Sequence, residues 1–177
     1  MAKIDITDTV DYPLEQVYET FRDHLAELQP YLPTIDGIEV ESYERVDDDT
    51  VKIVNVWTAA DSEVPKLAQK FIKPEMMKWT DRATWKDDEF MCFWEMEVGF
   101  LQEAISCSGK TVYSKSGERT KVHIQGDLKV DAKHIPGVPR LVAGKVGDTV
   151  EKFVVKMITP NMTEVNRGCE KYLDQQD

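Results

Sequence analysis

The sequence predicts an α+β fold, in which a curved antiparallel sheet of seven strands surrounds one long C-terminal helix and two short helices follow the first strand. Apolar and polar residues alternate through several segments between residues 3 and 130, as expected for strands with one covered face. From Leu141 onward, apolar residues recur every three or four positions, which predicts an amphipathic helix of about nine turns. A sheet with one apolar face needs a cover, and this helix supplies it.

All 177 residues are expected to form a single domain. The first elements are a strand over residues 3–10 and a helix that starts at Pro13, since proline suits the first helical turn. A second short helical stretch is predicted over residues 23–29, and residues 36–37 mark a turn. A further short helix, placed after the first hairpin, is predicted over residues 63–72.

The first of three predicted hairpins joins residues 38–46 to residues 51–59. We expect Val46 to pair with Val51 across the connecting turn. This register places three polar side chains on the same inner face as the apolar residues of the hairpin. These polar side chains are Ser42, Glu44 and Asn55.

The second hairpin joins residues 77–85 to residues 90–98, and its odd-numbered positions on the first strand face inward. The predicted register places Asp81 on this apolar face, opposite Trp94. A carboxylate in such a position must find hydrogen-bond donors or take up a proton, because burying a bare charge is costly. Asp81 is therefore the most unusual single residue of the predicted sheet.

The third hairpin joins residues 105–113 to residues 120–130, and its alternation leaves one face to solvent. The closing helix is predicted to run from Leu141 to Leu173. Pro160 falls inside this helix without loss of the apolar spacing, which predicts a kink rather than a change of direction.

Composition and charge exclude several classes of protein. The net charge is −11, and residues 1–63 alone carry −12 (16 acidic against 4 basic residues), so no nucleic acid partner is expected. No stretch approaches 18 apolar residues and no secretory signal is visible, so we expect no integral membrane segment. Three widely spaced cysteines predict reduced thiols and a cytoplasmic location. No His or Cys pair has metal-ligand spacing, so neither a metal nor another cofactor is expected.

The candidate ligand-binding residues share the inner face of the predicted sheet: Asn55, Trp57, Trp79, Asp81, Trp85, Trp94, Met96 and Tyr113. Tryptophan offers flat apolar surface and an N–H group that can hold a polar atom of a ligand. The alternative for the aromatic residues and Met96 is ordinary core packing. Asp81 is also a candidate acid/base group with a raised pKa, and the alternative is a structural carboxylate bonded to a tryptophan N–H.

The opening segment ITDTVDYPLEQVYETFRD resembles the start of the SRPBCC superfamily, the START-related and birch-pollen-allergen-like helix-grip proteins. The matching positions are Pro13, Glu15, Val17, Tyr18 and Phe21. The later segment LPTIDGIEVESYERVDDDTVKIVNVW resembles the second and third strands of that family, and the C-terminal segment resembles its long helix. The resemblance implies a deep apolar cavity between sheet and helix, which members use for lipids, sterols, polyketides or hormones.

Three functions are open as hypotheses. The protein binds or carries a small hydrophobic or amphipathic, lipid-like ligand in this cavity. Alternatively, as the resemblance to polyketide cyclases and dehydratases implies, it is an enzyme that uses Asp81 as its acid/base group. The third hypothesis is an interaction module whose acidic N-terminal third binds a basic protein partner, steered by charge.

Overall fold

The computed structural model describes residues 1–60 and 74–177. These residues form seven strands: β1 (Ala2–Val10), β2 (Ile35–Arg45), β3 (Thr50–Ala59), β4 (Lys78–Lys86), β5 (Met91–Glu97), β6 (Ile105–Ser116) and β7 (Arg119–Val130). The strands make one antiparallel sheet in the order β1-β7-β6-β5-β4-β3-β2, which confirms the predicted sheet. The short helix predicted over residues 63–72 lies outside the described residues.

The helices occupy the predicted places in the chain. Helix α1 covers Leu14–Asp23, a 3₁₀ helix follows over Leu25–Tyr31, and α2 covers Ala143–Asp174. Pro13 directly precedes α1 with a φ of −59°, which is the value that a helix start requires. With 32 residues, α2 is about 48 Å long. Pro160 lies inside α2, and the kink predicted there stays a prediction.

Helix α2 covers the inner face of the sheet beside β1 and β7. Near its start, the buried Glu151 carboxylate accepts a hydrogen bond from the backbone N–H of Val130 at 2.9 Å. Toward its end, Arg167 pairs with Asp8 of β1 at 3.0 Å, and the side chain of Cys169 is fully buried. Polar contacts at both ends therefore fix the helix across the sheet.

The first hairpin differs from the predicted register. The residue opposite Val51 is Arg45 rather than Val46, and a bulge in β2 lies next to Ser42. A shift of one residue moves each side chain to the other face of the sheet. Ser42 and Glu44 are consequently exposed on the outer face, so their predicted inward position is wrong.

The second hairpin pairs two residues further along than predicted. Asp81 lies opposite Met96, and Trp94 lies opposite Ala83, so the predicted pairing of Asp81 with Trp94 is wrong. The reason is that the turn covers residues 87–90 rather than residues 86–89, and it ends with Phe90 in the left-handed region, at a φ of 48°. A shift of two residues keeps every side chain on its predicted face.

Candidate ligand-binding site

A cavity of about 150 Å³ lies between the inner face of the sheet and the helices. Most of its wall comes from inward-facing residues of β3, β4, β5, β6 and β7. The helical segments contribute five further side chains: Phe21, Leu25, Met162, Val165 and Asn166. The cavity therefore lies where the sheet and the helical segments pack against each other.

Seven of the eight candidate residues line this cavity: Asn55, Trp57, Asp81, Trp85, Trp94, Met96 and Tyr113. Trp79 is not among the described lining residues. Its ring stacks instead on the ring of Trp57, with centroids 5.6 Å apart and planes 14° from parallel, which fixes the orientation of both rings. The structure thus brings seven candidates together, and their role as ligand-binding residues stays a prediction.

Two glycines make room for the indole of Trp94. Gly109 and Gly126 lie opposite each other on β6 and β7. A Cβ atom at either position would come within 2.6 Å of the Trp94 ring, so only glycine allows the ring to lie there. The indole N–H donates to Thr111 Oγ1 at 3.1 Å. Trp94 is therefore fixed in position, and its polar atom is satisfied within the protein.

Three other polar atoms of the cavity wall lack the hydrogen bond that Trp94 Nε1 has. Asn55 Oδ1, Trp57 Nε1 and Asp81 Oδ1 are inaccessible to water and have no hydrogen-bond partner among the described residues. Asn55 and Asp81 occupy directly opposite positions on β3 and β4. Since buried polar atoms are nearly always paired in folded proteins, this group requires an explanation. We call Asn55, Trp57 and Asp81 the open cluster.

Burial raises the pKa of Asp81 to about 6. The side chains of Asn55 and Trp57 face Asp81 and offset part of this rise. Neither side chain reaches Asp81 Oδ1 with hydrogen-bonding geometry. Asp81 as a whole is partly exposed, and it lines the cavity. A carboxylate in this state is suited to holding a cation or to transferring a proton.

At the end of β4, the neighbouring turn carries a carboxylate that is fully paired. Asp87 accepts a hydrogen bond from the Tyr18 hydroxyl at 2.9 Å, and it pairs with Arg22 at 2.8 Å and with Arg45 at 3.2 Å. Burial by itself would raise the pKa of Asp87, but the bonds from Arg22, Tyr18 and Arg45 outweigh it and lower that pKa. We call Tyr18, Arg22, Arg45 and Asp87 the paired cluster.

The residues by which the helices close the cavity were not predicted from the sequence. Phe21, Met162 and Val165 belong to apolar stripes, and a stripe does not show which of its members border a space. Asn166 carried a clearer signal, because it is a polar residue within the apolar stripe of α2. It is only 2% exposed, and its Nδ2 donates to Asp8 Oδ2 at 2.9 Å.

The acidic first third of the chain is paired internally at several points. Its carboxylates contact basic groups of β6, β7 and α2: Asp5 with His123, Asp8 with Arg167, Asp11 with Arg119 and Glu15 with Lys115. Ion pairs at the surface contribute little stability, about 0–1 kcal/mol each. They do reduce the local excess of negative charge. The basic protein partner predicted for this region stays a prediction.

Within residues 1–60 and 74–177, no three His, Cys, Asp or Glu side chains are grouped so that they could hold a metal ion. Over the same residues, every helix is too short or too polar to cross a membrane. Cys92, Cys107 and Cys169 are buried free thiols. Burial raises the pKa of all three, so the thiols are neutral and weakly reactive. The cytoplasmic location predicted from these thiols stays a prediction.

The family described as "Protein of unknown function (DUF2505)" matches residues 5–172. The chain belongs to the DUF2505 family. No curated protein is significantly similar in sequence to this DUF2505 protein.

Solved structures share its fold over nearly the whole chain. The protein TTHA0849 from Thermus thermophilus has a TM-score of 0.66 at 18% identity, over 96% of this chain and 95% of that one. The Zhui aromatase/cyclase from Streptomyces sp. R1128 has a TM-score of 0.67 at 14% identity, over 99% and 94%. The major latex-like protein 151 from Panax ginseng has a TM-score of 0.58 at 12% identity, over 97% and 96%. These similarities confirm the SRPBCC-type helix-grip fold, and at such identities they show the fold alone.

Proposed function

We propose that this DUF2505 protein binds a compact amphipathic molecule in its cavity, with the polar group of that molecule at the open cluster. The open cluster carries the proposal, because three unpartnered polar atoms lie in the wall of a mostly apolar cavity. Leaving a buried polar atom unpaired costs about 1–3 kcal/mol, and a bound polar group would remove that cost. An apolar cavity with a few convergent polar groups is the usual form of a small-molecule site.

The volume of the cavity limits the size of the ligand. At about 150 Å³, it is close to the volume of an engineered cavity that binds benzene. It is smaller than the roughly 300–1,000 Å³ of sites for drug-sized molecules. We therefore expect a molecule with one ring or a short chain. A lipid-like ligand, which the sequence resemblance implies, would place only a compact part of itself in this cavity.

The test is titration calorimetry with one-ring probes that carry a hydroxyl, an amine or a carboxylate group. Ala83→Leu fills the cavity from β4, whereas Thr84→Leu places the same side chain on the outer face of the same strand. We expect the wild type and Thr84→Leu to bind at least one probe and Ala83→Leu to bind none. If no probe binds the wild type, or if Ala83→Leu binds equally well, the proposal is wrong. Native mass spectrometry of protein from its own cells tests the same proposal by detecting a retained ligand, if the cavity holds one.

A second candidate function is acid/base catalysis of the cyclase or dehydratase type. The observation that favours it is Asp81, whose pKa of about 6 within a cavity lies near the neutral operating range of a general base. Acetophenone is a one-ring stand-in for an enolisable, polyketide-like substrate. The Asp81 carboxylate would take a proton from its methyl carbon to give the enolate, and in D₂O a deuteron would return to that carbon.

Proton NMR of acetophenone in D₂O measures this exchange directly. We expect the wild type to accelerate loss of the methyl signal and folded Asp81→Asn to leave the background rate unchanged. Equal rates with and without the wild-type protein would contradict a catalytic role for Asp81 toward this substrate class. The binding proposal does not depend on that outcome.

A further inference from the structure

We infer that the ligand of this cavity is an organic cation, a compact amine whose ammonium group contacts Asp81. The inference rests on the proposed function and adds the charge of the ligand to it. Among the lining residues that the structure describes, Asp81 is the only one with an acidic side chain, and none is Lys, Arg or His. A carboxylate ligand would meet a negative charge there without a described countercharge, whereas an ammonium group would form an ion pair.

The donors and acceptors of the open cluster favour the same ligand chemistry. Asn55 Oδ1 and Asp81 Oδ1 are unpartnered acceptors, and Trp57 Nε1 is the unpartnered donor. Because Asn55 and Asp81 are directly opposite on neighbouring strands, one small group can reach both. An ammonium group donates three hydrogen bonds, whereas a hydroxyl donates one. The amine therefore satisfies both acceptors with a single group.

The remainder of the cavity wall also suits a cation. Trp57, Trp94 and Tyr113 line the same space as Asp81, and aromatic rings attract cations through their negative faces, tryptophan most strongly. Burial raises the pKa of Tyr113 and of Cys92 well above their usual values, so neither adds a second negative charge. Within the described wall, Asp81 is thus the single anionic contact, in surroundings of low polarity that strengthen its attraction for a cation.

Three probes of nearly equal size test the charge of the ligand on the full chain at pH 7.5. They are benzylamine, benzyl alcohol and benzoate, which are respectively a cation, a neutral molecule and an anion. By titration calorimetry we expect benzylamine to bind at least about tenfold more tightly than benzyl alcohol. We expect benzoate to bind more weakly than both.

Two Asp→Asn substitutions on the same hairpin provide the matched comparison. Asp81→Asn should remove the preference for benzylamine while the affinity for benzyl alcohol stays within about twofold. Asp88→Asn removes an exposed carboxylate from the neighbouring turn and should leave both affinities as in the wild type. An unchanged benzylamine affinity in folded Asp81→Asn would overturn the inference.

The outcomes separate this inference from the proposed function. If benzyl alcohol or benzoate binds as tightly as benzylamine, the ligand is not selected by positive charge, although the cavity still binds compact molecules. If none of the three probes binds, the proposed function itself fails. The comparison of probes on the wild type needs no variant, so it decides the question even if Asp81→Asn does not fold.

Discussion

Two carboxylates of one hairpin, Asp81 and Asp87, have opposite surroundings. Asp87 accepts a hydrogen bond from Tyr18 and pairs with Arg22 and Arg45. Asp81 Oδ1 has no hydrogen-bond partner in the described parts of the chain. Accordingly, the pKa of Asp87 lies below its usual value, because its bonds outweigh burial, whereas burial raises the pKa of Asp81 to about 6.

The difference indicates which charge stabilises the fold and which one is buried without such stabilisation. The paired cluster joins α1 and β2 to the turn between β4 and β5, so its charges are satisfied within the chain. In the open cluster, the free-energy cost of burying the Asp81 charge is not offset by any described ion pair. Proteins depart from local rules of this kind mainly at functional sites. Comparison of the two clusters therefore yields the sharpest tests of the site.

The largest expected effect comes from removing each charge in turn. Asp87→Asn deprives Arg22 and Arg45 of their shared partner and weakens the bond from Tyr18, so we expect the free energy of unfolding to fall by about 2 kcal/mol at pH 7.5. Asp81→Asn removes a poorly solvated charge and should leave the free energy of unfolding unchanged or raise it by about 1–2 kcal/mol. Urea unfolding measures both values. Equal losses in the two variants would remove the distinction between the clusters.

A smaller effect is expected in the pH dependence of stability. The pKa of Asp81 rises from 3.8 to about 6 on folding, so the folded state binds this proton more tightly and gains stability as the pH falls through that window. Asp81→Asn lacks this gain. Its advantage over the wild type should therefore shrink by about 1.5 kcal/mol from pH 8 to pH 4.5. Urea unfolding across a pH series measures the difference, and a constant difference would contradict the raised pKa.

In the same pH series, the stability contribution of the paired cluster should change in the opposite direction as the pH falls. The pKa of Asp87 is lowered in the folded state, so its contribution to stability is fully present above the usual value of 3.8. That contribution is lost as the pH falls from there through the folded pKa. The gap between the wild type and Asp87→Asn should consequently stay constant from pH 8 to about pH 5 and narrow only below it.

Local periodicity predicts the elements of this fold because a strand and a helix each repeat over a few residues. In the third hairpin, alternation predicts that residues 105–113 pair with residues 120–130, and the structure pairs these two segments. Seven of the eight candidate residues border one cavity for the same reason. Residues on one face of neighbouring strands lie close together whatever the details of the loops.

Periodicity does not predict where a strand gains an extra residue or where a distant segment supplies a contact. The bulge in β2 turned Ser42 to the outer face. Trp79 was expected at the cavity, but its ring stacks on the ring of Trp57, which lies directly opposite on β3. The hydrogen bond from Asn166 to Asp8 spans 158 positions, and no local pattern specifies it.

The smallest expected effect concerns two indole N–H groups. Trp94 Nε1 donates to Thr111 Oγ1, whereas Trp57 Nε1 has no acceptor among the described residues. Thr111→Val keeps the shape of the side chain but leaves the Trp94 N–H unpaired, so we expect the free energy of unfolding to fall by about 1 kcal/mol. Asn55→Leu is the matched change in the open cluster, where Oδ1 forms no such bond and only the contact of the amide group with Asp81 is lost, so we expect a smaller loss.

Urea unfolding of these two variants, with benzylamine titration of each, decides what the open cluster is for. Thr111→Val should lose stability and keep ligand affinity, because Thr111 Oγ1 is already occupied by Trp94. Asn55→Leu should lose less stability than Thr111→Val but lose ligand affinity, because Asn55 Oδ1 is the acceptor that the amine would use. A loss of stability in Asn55→Leu as large as that in Thr111→Val would mean that contacts within the chain already satisfy the open cluster. Its polar atoms would then serve the fold, as those of the paired cluster do.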